Sequence, residues 1–108
     1  MNPALPDHIR RWAAARDLPL TGHHSAVGKN RLWLLEGGFL VGEMRVLQVQ
    51  PDPPTYLLSV MSGNMVLDES WADLSGLDAC LDLGLRLLKE RVKNTAPSWH
   101  LHLGDLPE

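Results

Sequence analysis

The spacing of hydrophobic positions predicts a helix at the start of the chain. Within residues 3–16, apolar side chains recur at Leu5, Ile9, Trp12 and Ala13. These positions are spaced i, i+4, i+7 and i+8, so on a helix they share one face. The prolines in this segment fall in the first turn, where free amide donors make proline tolerable. A first amphipathic helix with one buried stripe is therefore predicted.

Short apolar runs separated by turn residues follow this helix, a pattern typical of β-strands. The four predicted strands cover residues 31–36, 39–50, 55–61 and 65–67. The alternation slips around Gly42, which indicates a bulge, because one extra residue reverses the face of every following side chain. In a further strand, residues 98–103, apolar side chains alternate with His100 and His102. These two histidines are predicted to face away from the core.

Residues 68–93 predict one long amphipathic helix whose regular part begins at Ser75. Ser75 and Asp78 have the spacing of a capping box. Acidic residues crowd the predicted start and basic residues the end, which complements the helix dipole. Gly84 lies within the apolar face, where it would allow close approach to the sheet at about 1 kcal/mol of helix propensity. The acidic residues before the predicted cap are Asp68, Glu69 and Asp73.

The apolar arc of this helix spans roughly 200°, whereas a helix that covers a sheet on one side needs a stripe of about 100°. The excess consists of Cys80, Leu83 and Leu87. Two coverings remain open: the first helix, or a partner chain that could be a second copy. This flank is therefore a candidate partner-binding surface.

These elements predict a single α+β domain over residues 1–108. The expected architecture is an antiparallel sheet of four to five strands with the N-terminal helix and the long amphipathic helix packed on one face. A length of 108 residues suits one core. The formal net charge of −3 provides no global basic field for nucleic acid or an anionic membrane.

A cytoplasmic location is expected. The first residues lack the apolar segment of a signal peptide, and no apolar run approaches the ~20 residues of a membrane helix. The single cysteine, Cys80, excludes an intrachain disulfide and a cysteine-based zinc cluster. It is expected to be a small buried hydrophobe rather than a reactive thiol.

Metal binding and catalysis find little support. His100 and His102 could share an ion, but a catalytic zinc site needs three protein ligands. His23, His24 or Glu43 would have to supply the third, so solvent-facing histidines are the expected case. Residues 22–30 superficially resemble a phosphate-binding loop but have the wrong glycine spacing and precede a strand.

Other catalytic motifs, including G-x-S-x-G, H-E-x-x-H and the dinucleotide glycine fingerprint, are missing from the chain. Helix capping explains the acidic cluster before Ser75 without an acid–base role. We therefore expect no enzyme, no cofactor and no metal, with a metal-dependent enzyme using His100 and His102 kept as an alternative.

Nucleic-acid binding is a second alternative, because the first half of the chain has more basic than acidic residues. Its basic residues are Arg10, Arg11, Arg16, Lys29, Arg31 and Arg45. The α-β-β-β-α order resembles the double-stranded RNA-binding fold, which implies nucleic-acid binding. The predicted last helix departs from that family, since it begins with acidic rather than basic residues.

The favoured function is protein binding. Four tryptophans, Trp12, Trp33, Trp71 and Trp99, are many for this length, and tryptophan is enriched in binding hot spots. The element order and acidic pI of about 5.9 resemble type III secretion chaperones, a resemblance that implies holding a secreted protein. We expect a bacterial adaptor, secretion-chaperone-like or inhibitor/immunity-type protein that binds another protein or a second copy. The predicted partner-binding residues are Cys80, Leu83, Leu87, Trp33 and Trp71.

Overall fold

The computed structural model describes residues 5–22, 29–36, 39–91 and 99–104. It contains two helices, α1 (Leu5–Ala15) and α2 (Leu74–Glu90). The strands are β1 (Leu20–Thr21), β2 (Lys29–Glu36), β3 (Phe39–Pro51), β4 (Pro54–Ser62), β5 (Met65–Ala72) and β6 (Trp99–Leu103).

All six strands form one sheet in the order β1-β6-β2-β3-β4-β5. Strands β2 to β5 form an antiparallel meander, and β6 enters between β1 and β2. Strand β6 is antiparallel to β2 and parallel to β1. The predicted α+β class is confirmed. The sheet has one strand more than the upper expectation and one parallel pair, because the two-residue β1 is too short to show an alternation in sequence.

Both helices pack on the same face of the sheet and share one core with it. Helix α1 contributes Ile9, Trp12 and Ala13, which confirms the predicted stripe. Alternate residues of the central strands point into this core. They include Leu32, Leu34, Met44, Val46, Leu58, Val60, Leu101 and Leu103. The opposite face of the sheet, which no helix of the described residues covers, is called the open face below.

Two glycines allow α2 to approach the sheet closely. A Cβ at Gly84 would lie 2.7 Å from Met44 Sδ and 2.9 Å from Val60 Cγ2, so the predicted role of this glycine is confirmed. A Cβ at Gly42 would overlap the Leu88 side chain. The register of β2 against β3 also shifts beside Gly42, which confirms the predicted bulge.

The predicted start of the long helix is wrong. Residues 68–72 belong to β5, where they pair with β4. The N-cap is Asp73 rather than Ser75: Asp73 Oδ1 accepts hydrogen bonds from Gly76 N at 2.9 Å and from Ser75 Oγ at 2.7 Å. The Ser75 hydroxyl and then the Gly76 amide lower the pKa of Asp73, since both stabilise its charged form. The helix ends at Glu90, and residues 92–93 lie outside the described range.

Helix α1 lies along the side of α2 that carries Asp78 and Asp82. His8 Nε2 lies 2.6 Å from Asp78 Oδ1, and Trp12 Nε1 donates to Asp82 Oδ1 at 3.0 Å. At about 100° per residue, Leu87 lies roughly 180° around the helix from Asp78. These contacts place α1 on the side of α2 opposite Cys80, Leu83 and Leu87. Of the two coverings left open for that flank, the first helix is therefore not the one that the structure adopts.

Candidate binding face of the sheet

Side chains on the open face form rows that cross the strands, because residues opposite each other in neighbouring strands point to the same side. The apolar row consists of Leu47 on β3, Leu57 on β4 and Trp71 on β5. The charged row consists of Arg31, Arg45, Ser59 and Glu69. The third row consists of Trp33, Glu43, Met61 and Val66.

The apolar row is well exposed. Trp71 is 65% exposed and Leu47 38%, while Leu57 between them is half-buried. Leu40 and Val66, which the registers also place on this face, are 52% and 49% exposed. Large apolar side chains that cluster at a surface mark interaction sites more often than scattered ones do. The open face therefore has the composition of a binding surface.

Trp71 differs from the other three tryptophans. The indole of Trp12 donates to Asp82, and the indole of Trp33 donates to the Gly104 carbonyl. Trp99 packs against the core, with Lys89 Nζ 5.4 Å from its ring centre. Within the described residues, the Trp71 indole makes no hydrogen bond. It is thus the tryptophan with both a free donor and an exposed ring.

A buried carboxylate lies between two arginines on the same face. The Glu43 side chain is only 7% exposed, and its Oε1 accepts a hydrogen bond from Arg45 Nε at 2.7 Å. Its Oε2 lies 3.7 Å from Arg31 Nε and has no hydrogen-bond partner among the described residues. Two guanidinium groups against one carboxylate leave this cluster with one net positive charge.

A shallow groove of about 210 Å³ joins the charged and apolar rows. Its lining includes Arg31, Arg45, Leu47, Leu57 and Ser59. Guanidinium groups stack on aromatic rings and pair with carboxylates, and the two leucines offer apolar contact. The groove therefore suits an aromatic side chain that enters beside a carboxylate.

The structure divides the predicted partner-binding residues between two surfaces. Trp33 and Trp71 lie on the open face, on β2 and β5, with two strands between them. Cys80, Leu83 and Leu87 lie on α2, on the other side of the sheet, and are half-buried. These five residues therefore do not form one site.

Sequence reasoning missed the leucines that accompany Trp71. Once Met44 and Val46 are assigned to the core, alternation places Leu47 outward beside Arg45. An outward leucine two residues after outward Arg45 was the available signal. Alternation along one strand does not reveal Leu57 as the neighbour of Leu47, because that pairing requires the strand register.

Among the described residues, His100 and His102 do not assemble with a third metal ligand. His102 Nδ1 lies 3.1 Å from Thr21 Oγ1, and Trp33 separates His102 from Glu43 in the cross-strand register. Within residues 5–22, 29–36, 39–91 and 99–104, no group of three or more His, Cys, Asp or Glu side chains could hold a metal. His23 and His24 lie outside the described residues.

The basic residues proposed for nucleic acid lie on separate parts of the fold. Arg10 and Arg11 are on α1 and Arg16 directly follows it, whereas Arg31 and Arg45 are on the open face. Arg16 is bound to Asp82. The described arginines therefore do not form one continuous basic surface.

Comparisons with protein families, with curated proteins and with solved structures find no match for this chain. Among the described residues, neither helix is long and apolar enough to cross a membrane.

Proposed function

We propose that this protein is a non-catalytic protein-binding module whose binding surface is the open face of the sheet, with Trp71 at its centre. The observation that carries the proposal is the 65% exposure of Trp71, whose indole has no hydrogen-bond partner among the described residues. Tryptophan combines a large apolar ring with a polar donor, and such residues dominate binding energies at interfaces.

The surroundings of Trp71 support this role. Leu57 lies beside it in the apolar row, and Leu47 continues the row onto β3. Burying one such large apolar side chain is worth about 1.5–3 kcal/mol relative to leaving it in water. A partner that covers the row would recover several such contributions, which the isolated chain forgoes.

The α2 flank of Cys80, Leu83 and Leu87 is the second surface to compare. Its side chains are half-buried, so a partner gains less area there than at Trp71. Adaptor, secretion-chaperone-like and inhibitor or immunity-type roles all fit the proposed class. They differ in the identity of the partner.

Capture experiments with matched variants test the proposal. Wild-type protein, Trp71→Ala and the double variant Leu83→Ala/Leu87→Ala are immobilised separately in lysate of the source organism, and captured proteins are quantified. We expect Trp71→Ala to lose about tenfold or more of the specific capture, as hot-spot truncations do. Loss of capture only in the Leu83/Leu87 variant would place the binding surface on α2. Capture that neither variant reduces would refute both the open face and the α2 flank as binding surfaces.

A further inference from the structure

We infer that the occupant of the open face is a second copy of this chain, in a symmetric dimer whose sheets pack face to face. The inference rests on the proposed binding role of the open face and adds the identity of the partner. Its basis is that, when the open faces of two copies pack together, the charged row of one copy complements the charged row of the other. The apolar rows complement each other in the same way.

The required symmetry follows from the strand order. A two-fold axis that runs along β4 between two facing sheets places β3 of each copy over β5 of the other, and β4 over β4. Strand directions then stay aligned, as in ordinary packing of two sheets about 10 Å apart. Positions along the strands are also preserved, so each row faces its own counterpart.

The charged row then pairs opposite charges. Arg45 on β3 faces Glu69 of the second copy on β5, and Ser59 faces Ser59 at the axis. Within one chain Glu69 forms no ion pair among the described residues, and only Nε of Arg45 is bonded to Glu43. Both groups therefore have bonding capacity left for each other, and symmetry forms the pair twice.

The apolar row is complementary in the same arrangement. Trp71 faces Leu47 of the second copy, and Leu57 faces Leu57. Leu47 lines the groove of about 210 Å³, whose arginines can stack on an indole ring. The most exposed large apolar side chain among the described residues of one copy thus meets the groove of the other, and the exchange is reciprocal.

The edge of the sheet is a less suitable route to self-association. Strand β5 is an edge strand, and two copies could in principle pair through it. When two β5 strands pair antiparallel about a two-fold axis, the residue at the axis lies opposite its own copy. If the whole strand is paired, that residue is Asp68 or Glu69. Like charges directly opposite each other destabilise such pairing. The acidic residues therefore protect this edge and leave the open face as the surface for a second copy.

The overlapping area predicts a weak dimer. Three strands spaced ~4.8 Å apart over about eight residues present roughly 14 × 26 Å of sheet per copy. This is about 700 Å² for the two copies together, below the ~1,200 Å² of standard specific interfaces, so a weak, transient dimer with a dissociation constant above about 1 µM is expected.

Sedimentation of the full chain tests the inference. Protein concentrations of about 1 µM to 1 mM cover the range in which such a dimer should form. We expect a concentration-dependent dimer, and a dissociation constant raised about tenfold or more by Trp71→Ala or Glu69→Arg. Circular dichroism confirms that each variant is folded; both sites are exposed, so folding should persist. Arg45→Glu is unsuitable alone because it removes the hydrogen bond to buried Glu43 and leaves only Arg31, whose Nε lies 3.7 Å from Glu43 Oε2. The double variant Glu69→Arg/Arg45→Glu, shown to be folded in the same way, should regain affinity.

Cysteine cross-linking locates the axis independently. In a Cys80→Ser background, a short bismaleimide should cross-link Ser59→Cys between copies, because facing Cα atoms about 10 Å apart are too distant for a direct disulfide but within reach of such a reagent. His100→Cys, on the same face but on distant β6, serves as the control and should be cross-linked far less.

A monomer throughout the concentration range, or a dimer that Glu69→Arg leaves unchanged, would overturn the inference. If Trp71→Ala still abolishes capture of other proteins in that case, the proposed binding function stands with a different partner. If it leaves capture intact, both fail.

Discussion

Asp82 on α2 joins the two helices through Trp12, in addition to the contact between His8 and Asp78. Its Oδ1 accepts the Trp12 indole donor at 3.0 Å, and its Oδ2 accepts Arg16 Nη2 at 2.7 Å. The hydrogen bond from Arg16 is the main cause that lowers the pKa of Asp82, and the Trp12 indole adds to it against the opposing effect of burial. The same pair raises the pKa of Arg16. Trp12 of α1 and Arg16, the residue directly after this helix, thus depend on one carboxylate of α2.

Because the folded-state pKa of Asp82 is lowered, its charge stabilises the fold above its unfolded pKa of about 3.9 and ceases to do so as pH falls through the folded value. Asp82→Asn should therefore lower the free energy of unfolding at pH 7 by about 1 kcal/mol, a figure reduced for partial solvent exposure. The difference from wild type should shrink below pH 4, as measured by urea unfolding at both pH values. A difference that is constant with pH would contradict the assigned role of the charge.

The environments of the four tryptophans differ in how well the local sequence predicts them. Trp12 is recognisable as core from its helical spacing, and the structure buries it. Trp33 and Trp71 both occupy outward strand positions, so alternation alone treats them alike. Their difference arises from the Gly104 carbonyl, which lies 71 residues from Trp33 in sequence and accepts its indole donor. Such a partner is brought near only by the complete sheet.

At the scale of single elements, α2 combines a tightly packed glycine with an unconstrained one. A Cβ at Gly84 would meet Met44 and Val60 below 3.0 Å, whereas a Cβ at Gly76 would have neighbours only at 3.5 Å. Both positions are helical, so replacing glycine by alanine raises the helix propensity by a similar amount at each. Packing against the sheet therefore decides whether the replacement stabilises or destabilises the protein.

Gly76→Ala should stabilise the protein by up to about 1 kcal/mol, the helix preference of alanine over glycine. Gly84→Ala should lose that gain, because overpacking a core costs typically about 1–3 kcal/mol. Thermal and chemical unfolding of the two variants side by side provides the comparison. Equal stabilisation by both would show that α2 does not approach the sheet as closely as described.

Strand β5 illustrates why an element can be misassigned from sequence. Asp68 and Glu69 precede a helix, and carboxylates near a helix start favour it, so residues 68–72 looked like its entrance. In the structure they pair with β4, and Asp73 alone provides the cap. Local composition was compatible with both states. Pairing with β4 decided between them, and hydrogen bonds between strands leave little trace in a single segment.

At the scale of the whole molecule, the sheet joins the two ends of the described chain. Leu101 on β6 pairs with Leu20 on β1 and with Leu34 on β2, and its amide donates to the Pro19 carbonyl at 2.8 Å. Strand β6 is therefore an inner strand although it comes last in sequence. Its buried side chains should contribute to the stability of the whole fold.

Leu101→Ala should lower the free energy of unfolding by about 2–5 kcal/mol, as expected for a fully buried leucine. His100→Ala, the neighbouring position on the opposite face, should change it by about 0.5 kcal/mol or less. Equilibrium denaturation measures both. Similar losses at the two positions would mean that the faces of β6 are not distinguished as described.

The sequence by itself determined the α+β class, the buried stripe of α1, the bulge at Gly42, the alternation of β6 and the close approach at Gly84. Each of these depends on periodicity or on the properties of one residue type, which are local. The tertiary structure decided the place of β6 in the sheet, the side of α2 that α1 covers, and the neighbours of Trp71 on the open face. These features depend on strand register and helix placement, which bring together residues far apart in the chain and are therefore not written in any one segment.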